Sequence, residues 1–184
     1  MNKIVKYIGL DVHKNSIAIA IAKEGRQRDV NFYGVINNDM DQLNKFLRKL
    51  ISQGAKPRCV YEAGPCGYNI YRSLSEKGID CVVVAPSLIP KRSGDKIKTD
   101  RRDSETLAKL HRAGELTPVY VPSLEDEALR DLVRAREDSV NALKRAKQQL
   151  GAFLLRHHIN SPVKSKWCKS YFNWLAGIAM PHPA

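Results

Sequence analysis

Short apolar stretches in the first half of the chain have the pattern of β-strands. Five such stretches occur, at residues 4–12, 16–22, 30–36, 58–64 and 81–86. The tight turn after the first predicts a hairpin, and the continuous valines of the fifth suit a strand that is covered on both faces. Apolar residues that recur every three or four positions predict helices at 38–54, 68–78 and 101–116. This order of elements predicts a mixed α/β sheet flanked by helices.

The second half of the chain has a different character. Residues 87–100 are basic and polar, residues 117–123 are predicted to form a turn, and apolar residues then recur at helical spacing from about 124 to 158. This long helix suits a helical hairpin or a coiled-coil-like arm, although Arg136 and Lys147 interrupt the heptad seam. We therefore divide the chain into an α/β domain at 1–122, a helical arm at 123–160 and a basic tail at 161–184.

The net charge of the chain indicates what kind of partner it binds. The chain carries 31 Lys and Arg against 19 Asp and Glu, a net charge of +12, and no acidic residue follows Asp138. A solvated surface normally mixes both signs, so the imbalance favours nucleic acid over an anionic membrane. No apolar run approaches the roughly 20 residues of a membrane span. The chain is expected to be cytoplasmic and nucleoid-associated, with its four cysteines reduced, since they form no C-x-x-C zinc motif.

Basic and aromatic side chains supply the candidate nucleic-acid contacts. The basic candidates are Lys14, Lys91, Arg92, Lys96, Lys98, Arg101, Arg102, Lys144, Arg145, Lys147, Arg156, Lys164, Lys166 and Lys169. Trp167, Tyr171, Phe172 and Trp174 are interleaved with the last of them and suit stacking on unpaired bases. The alternative is that these aromatics form the core of a small helical segment, which we favour for Phe172 and Trp174.

Four carboxylates carry the candidate chemistry. Asp11 and Glu62 each stand near the end of a predicted strand, at the sheet edge where open α/β sheets bind ligands. Asp100 and Asp103 are three residues apart, so on a helix they share one face. Converging carboxylates repel one another unless a cation neutralises them, and oxygen ligands favour a hard ion. The pattern therefore predicts that Mg²⁺ or Mn²⁺ is held there for phosphodiester chemistry.

Each acid also has a simpler explanation. Asp100 and Asp103 match a helix N-cap and its partner, a common device. Glu62 can accept backbone N–H groups in a turn, and Asp11 can pair with a nearby lysine or arginine. His13 is more simply a turn residue, or a donor to a metal-binding carboxylate, than a ligand itself. Taken together, four acids at strand ends and on one helix face of a basic protein favour the metal site.

Three segments extend the argument beyond single residues. "YIGLDVHK", "YEAGPCGY" and "KIKTDRRDSETLAKL", in this order and spacing, resemble the DEDD transposases of the insertion-sequence one-ten family. The similarity runs from residue 7 to about residue 177. It implies a domain like the Holliday-junction resolvase RuvC, built on the ribonuclease H fold. It also implies that the catalytic, metal-binding D, E, D and D are Asp11, Glu62, Asp100 and Asp103.

The resemblance implies partners as well. The family excises and inserts a mobile element under the guidance of a bridge RNA that pairs with donor and target DNA, and its helical arm mediates assembly. DNA, guide RNA and a homodimer or higher oligomer are therefore expected. In the family a C-terminal domain supplies a serine to the reaction, and this sequence stops about where that domain should begin. We expect the chain alone to bind metal and nucleic acid without completing transposition.

Two other functions fit parts of the sequence. The same fold suits a non-catalytic RNA- or DNA-binding scaffold, in which the basic tail binds the guide RNA. An ATP-using enzyme of the actin or sugar-kinase type shares the ribonuclease H topology. However, "DVHKNS" has no glycine that would bring backbone N–H groups to a phosphate, and no glycine-rich loop follows. The metal-dependent transposase or nuclease domain is the preferred interpretation.

Overall fold

The computed structural model describes residues 4–25, 30–90 and 99–179, and it divides the chain into two compact units, Met1–Val121 (unit 1) and Pro122–Ala184 (unit 2). The elements of unit 1 are β1 (Ile4–Val12), β2 (Ser16–Lys23), β3 (Val30–Asn37), α1 (Met40–Ser52), β4 (Ala55–Glu62), α2 (Asn69–Glu76), β5 (Asp80–Val84), a 3-10 turn (Pro86–Leu88) and α3 (Asp100–Ala113). Those of unit 2 are α4 (Leu124–Arg156) and α5 (Lys169–Ala176).

The five strands form one mixed sheet in the order β3-β2-β1-β4-β5. The pairs β1–β2 and β2–β3 are antiparallel, whereas β4 runs parallel to β1 and β5 runs parallel to β4. Short turns can join antiparallel neighbours, but parallel neighbours need a crossover, which α1 and α2 supply. The predicted α/β class, a ribonuclease H-like mixed sheet flanked by helices, is confirmed.

One face of the sheet is covered by α1 and α2. The paired strand residues Ile8 and Cys59, followed by Leu10 and Tyr61, are buried beneath these helices. The helices contribute their own apolar stripes, Leu43, Phe46, Leu47 and Leu50 from α1 and Ile70 and Leu74 from α2. Burial of this apolar surface is the main contribution to the stability of unit 1.

The opposite face of the sheet is in close contact with α3. The strands carry small residues there, among them Gly9, Ala20 and Ala22. A Cβ atom built on Gly9 would overlap the carbonyl oxygen of Ser104 and would lie 2.6 Å from the backbone nitrogen of Ala108. Because any side chain would collide with the helix backbone, only glycine at this position permits so close an approach.

Two local predictions for unit 1 need correction. β4 begins at Ala55 rather than at residue 58, and it includes Pro57, which lacks the N–H group that an interior strand residue normally donates. Residues 117–123, predicted as a turn, include a position that pairs with the sheet: Pro118 forms an antiparallel bridge with Val84. Both differences arise because pairing with a distant strand overrides the local signal of proline.

Unit 2 is built on α4, a helix of 33 residues. Ser123 caps it by accepting a hydrogen bond of 3.1 Å from the N–H of Asp126. Leu154 is buried, but most of the large apolar residues of the helix are exposed: Leu124, Leu129, Leu132, Val133, Val140, Leu143 and Leu155. Among the residues that the structure describes, no helix combines the length and the apolar character that a membrane span needs.

The tail of unit 2 contains α5, which packs its aromatic residues differently from the prediction. Tyr171 is buried, with 2% of its surface exposed, whereas Phe172 is 52% exposed. Tyr171 contacts the rings of Trp167 and Trp174 at centroid separations of 5.0 and 5.2 Å. The core position that we assigned to Phe172 therefore belongs to Tyr171.

Candidate active site

Asp11 and Glu62 lie on neighbouring strands, on the sheet face that α3 covers. The last paired residues of the parallel strands β1 and β4 are Leu10 and Tyr61, so the two acids follow one step later in the same register. Side chains alternate between faces along a strand, and Leu10 and Tyr61 belong to the core under α1 and α2. The two acids therefore point to the opposite face, on strands that are about 4.7–4.9 Å apart.

The first turn of α3 supplies the other two acids. The helix runs antiparallel to β1: Tyr7 packs edge-on against His111, with ring centroids 5.4 Å apart, and Gly9 lies against the middle of the helix. Two strand residues advance by about 6.6–6.8 Å, and four helix residues advance by about 6 Å. The next outward residue of the strand, Asp11, therefore meets the first turn of the helix, which begins at Asp100.

His13 lies between Asp11 and Asp100. Its Nε2 atom is 3.1 Å from Oδ2 of Asp11 and 3.5 Å from Oδ1 of Asp100. The metal-ligating atoms of the three residues all lie within 4.8 Å of one another. The side chain of Asp11 is 14% exposed, against 49% for His13 and 60% for Asp100, so the group is open to solvent on one side. We call these three residues the Asp-His-Asp group.

The electrostatics of Asp11 reflect this crowding. Burial raises the pKa of its carboxyl group, His13 opposes that rise, and the negative charges of Asp103 and Asp100 add to it. A carboxylate beside other carboxylates in a partly buried position is less stable as an anion unless a positive charge neutralises it. The hydrogen bond from His13 supplies part of that stabilisation, and a cation would supply more.

Glu62 and Asp103 are not members of the Asp-His-Asp group. Over residues 4–25, 30–90 and 99–179, the close group of metal-ligating atoms does not include theirs. Asp103 lies one helical turn beyond Asp100, and its charge raises the pKa of Asp11. Glu62 is half-buried as the last residue of β4. The four predicted acids thus surround one edge of the sheet, and two of them meet around an imidazole.

Thr99 caps α3, so capping does not explain the acids of its first turn. The Oγ1 atom of Thr99 accepts a hydrogen bond of 3.3 Å from the N–H of Arg102. Asp100 is the first helical residue and Asp103 the fourth, one turn later. The alternative in which one of these acids is the N-cap is wrong, since a threonine fills that position.

Asn38 holds the turn that carries His13, a role that the sequence did not reveal. Its Nδ2 atom donates to the carbonyl of His13 at 2.8 Å, and its backbone N–H donates to the carbonyl of Asn15 at 3.0 Å. The sequence offered Asn38 or Asp39 as the cap of α1. The structure gives that cap to Asp39, whose side chain accepts from the N–H of Asp41 at 2.9 Å. Since only one of these two residues can cap α1, the sequence indicated that the other has a different role.

The predicted basic contacts are distributed over both units. Near the acids, Lys14 is exposed in the β1–β2 turn, and Arg101 and Arg102 lie in the first turn of α3. Arg101 already interacts with Glu105, at 3.0 Å, and with the ring of Phe32, at 5.4 Å from its centroid. Unit 2 carries Lys144, Arg145, Lys147, Arg156, Lys164, Lys166 and Lys169. The positions of Lys91, Arg92, Lys96 and Lys98 lie outside the described residues.

The fold and this edge together define a class of protein: a ribonuclease H-like α/β domain whose acidic side chains surround the carboxyl ends of two central parallel strands. Comparison with known protein families identifies the family to which this domain belongs. Residues 8–159 match the DEDD transposase family of IS110, described as a transposase. The chain belongs to this family.

Curated relatives and a solved structure are similar to this chain. It is 43% identical, over 97% of its length, to "Putative transposase y4qE" of Sinorhizobium fredii, and 39% identical, over 94% of its length, to "Transposase for insertion sequence element IS1533" of Leptospira borgpetersenii. These matches cover 46% and 50% of those proteins, so the chain spans about half the length of the curated relatives it matches. The structure "T. thermophilus RuvC in complex with Holliday junction substrate" is 13% identical, with a TM-score of 0.41, over 64% of this chain and 99% of that chain.

Proposed function

We propose that unit 1 is the metal-dependent domain of a DNA transposase that cleaves and transfers DNA strands. The residues that would hold Mg²⁺ or Mn²⁺ and act in catalysis are Asp11, Glu62, Asp100 and Asp103. The observation that supports this most directly is the Asp-His-Asp group, whose metal-ligating atoms lie within 4.8 Å of one another at the sheet edge of a transposase-family chain.

The donor set suits a hard divalent cation. Carboxylate oxygens are the ligands that Mg²⁺ and Mn²⁺ prefer. Burial and the neighbouring carboxylates raise the pKa of Asp11, and a bound cation would stabilise its ionised form. The Nε2 atom of His13 donates to Asp11, so this nitrogen can bind an ion only in place of that hydrogen bond. First-row transition ions accept an imidazole nitrogen, so Mn²⁺ is the better probe of the site. When bound, such a cation polarises a phosphodiester and neutralises the charge that develops during its displacement.

The chain's own residues hold and orient this site. The hydrogen bond from the imidazole of His13 fixes the carboxylate of Asp11, and Asn38 fixes the turn beneath that imidazole. Lys14, exposed in the same turn, is placed to attract a phosphate backbone toward the acids. The contact between β1 and α3 brings Asp100 to the same edge as Asp11.

Metal binding tests the proposal without depending on transposition. Asp11→Asn keeps the size of the side chain but removes its charge, so we expect Mn²⁺ affinity in calorimetric titration to fall on the order of 10–100-fold. Asp131→Asn, an exposed acid of α4, is the matched control and should leave the affinity unchanged. Equal Mn²⁺ affinity in Asp11→Asn and the unchanged chain would refute the proposal.

We propose nucleic acid as the partner, with DNA as the substrate and, following the family resemblance, a bridge RNA as the guide. A protein with these partners would be located in the cytoplasm, associated with the nucleoid. The support is the net charge of +12 and the absence of acidic residues after Asp138. We expect Asp11→Asn to retain RNA affinity while it loses metal. Loss of both to the same extent would contradict this division of roles, and RNA binding without any metal binding would favour the non-catalytic scaffold.

The exposed apolar residues of α4 support self-association, with a homodimer as the simplest form. Leu129, Leu132, Val133, Val140 and Leu143 recur at separations of three, four and seven residues, and each is at least 47% exposed. A helix stripe of this kind is stabilised when a second helix covers it. Two copies of α4 packed along the part of this stripe that precedes Arg136 would bury Leu129, Leu132 and Val133. Arg136 lies in the stripe itself, seven residues after Leu129 and seven before Leu143, and interrupts it.

A further inference from the structure

Unit 2 contains a cleft that the proposed catalytic role does not use. Its volume is about 510 Å³, within the range of small-ligand sites, and residues of α4 form one side of it. The lining residues are Val140, Leu143, Lys144, Lys147, Gln148, Gly151, Lys166, Trp167 and Tyr171. Three of them are lysines, and none is acidic. The cleft therefore combines an apolar wall with a wholly positive set of charges.

The aromatic side of the cleft is held in place by its neighbours. Tyr171 is 2% exposed, and its ring meets that of Trp167 at a centroid separation of 5.0 Å. The Nζ atom of Lys147 lies 5.4 Å from the centroid of the Trp167 ring, within the range of a cation–π contact. Trp167 itself has a φ of 67°, a left-handed conformation that is rare for a bulky residue and is found preferentially at functional sites.

Gly151 keeps the cleft open on the side of α4. It lies in the helix interior, where glycine is the least favourable residue after proline, and a Cβ atom there would meet nothing within 4 Å. Close packing therefore does not require glycine at this position, in contrast to Gly9. The space beside it is part of the cleft, and any longer side chain would project into that space.

We propose that this cleft binds single-stranded nucleic acid, with an unpaired base stacked against Trp167, whose ring is supported from behind by the buried Tyr171. The ammonium groups of Lys144, Lys147 and Lys166 would contact the adjoining phosphates. Every base has a flat face that stacks on aromatic rings, and a basic groove follows the backbone. The inference rests on the proposed function only for the class of partner, since the cleft lies in unit 2 and involves no carboxylate.

A second copy of the chain is the competing occupant, because Val140 and Leu143 belong both to the cleft and to the exposed stripe of α4. Packing a helix into the cleft would remove three ammonium groups from water. No acidic residue of the cleft is available to pair with them, and burial of unpaired charge is costly. A parallel second copy would bring lysines to lysines, and an antiparallel copy would bring the first half of α4, in which acids are mixed with arginines. A polyanion supplies a negative charge at every phosphate, so charge complementarity favours the nucleic acid.

The experiment uses the whole chain in EDTA, so that failure of the metal site cannot affect the result. Fluorescence anisotropy would measure the affinity for a labelled oligodeoxythymidine, for the same strand with abasic residues, and for a duplex of equal length. Gly151→Leu fills the cleft while it improves the helix, and Gly151→Ala is the matched control with a small side chain. Lys166→Gln tests the phosphate contact through the salt dependence of binding.

We expect the intact strand to bind tighter than the abasic strand by about fivefold or more, the range of one stacked base. Gly151→Leu should lose that difference and bind both strands alike, whereas Gly151→Ala should keep it. Equal binding of intact and abasic strands by the unchanged chain would overturn the inference, as would full discrimination by Gly151→Leu. A shift in oligomeric state by Gly151→Leu with strand binding intact would assign the cleft to a second copy.

Discussion

Gly9 is the residue on which the geometry of the acidic edge depends most directly, and Gly9→Ala tests this. The added Cβ atom would overlap the carbonyl oxygen of Ser104, lie 2.6 Å from the nitrogen of Ala108 and lie 3.0 Å from the Cβ atom of Leu107. Two of these three atoms are backbone atoms, which cannot turn aside as a side chain does. The strand and the helix must therefore separate.

The size of the effect follows from these contacts. The nitrogen of Ala108 must withdraw by about 0.8 Å to reach an ordinary contact of 3.4 Å. Overpacking of a core costs about 1–3 kcal/mol, and backbone atoms place this case at the upper end, near 3 kcal/mol. With a urea dependence of about 1–3 kcal/mol per molar, the unfolding midpoint should fall by about 1–3 M. The same separation moves Asp100 away from Asp11, so Mn²⁺ affinity should also fall.

Urea unfolding followed by far-UV circular dichroism measures the first effect, and calorimetric titration measures the second. Gly64→Ala is the matched control in unit 1, because its nearest atom would be 3.9 Å away. Both tryptophans, Trp167 and Trp174, lie in unit 2, so circular dichroism rather than their fluorescence is the measure of unit 1. If Gly9→Ala unfolds at the same urea concentration as Gly64→Ala and binds Mn²⁺ equally well, the argument from close approach is wrong.

Three further predictions concern other parts of the chain. His13→Ala should weaken Mn²⁺ binding in calorimetry by about tenfold or more, whereas Lys14→Ala should not weaken it. Burial lowers the pKa of His111, so the unfolded chain binds a proton that the folded chain resists. The free energy of unfolding should fall as the pH drops below about 6.5, and His111→Phe should remove part of that fall in paired urea titrations. Leu132→Asp should convert an oligomer to a monomer in sedimentation velocity, while Ala142→Asp, outside the apolar stripe, should not.

The strands and helices of unit 1 followed from the sequence because their signals are local. Alternating or continuous apolar residues mark a strand, and apolar positions three and four apart mark a helix face. The buried stripe of α1, with Leu43, Phe46, Leu47 and Leu50, is the one that the spacing predicts. The errors occurred where a distant partner decides, at Pro57 inside β4 and at Pro118 beside β5.

The exposure of the aromatic residues in the tail likewise depended on tertiary packing rather than on a local sequence signal. The sequence placed Trp167, Tyr171, Phe172 and Trp174 together and offered both stacking and core packing. Which ring becomes the core depends on how α5 packs within unit 2, and the structure selects Tyr171 while leaving Phe172 exposed. A helix of eight residues carries too little periodic signal to make that choice.

The sequence by itself determined the types of elements, the excess of positive charge and the positions of four acids near strand ends and a helix start. The tertiary structure alone decided that β1 lies beside β4, that α3 crosses β1 in contact with Gly9, and that His13 lies 3.1 Å from Asp11. The physical reason is the separation along the chain over which each signal acts. Periodicity reports which face of an element is buried, whereas the meeting of side chains far apart in the chain depends on strand order and on how closely two backbones approach.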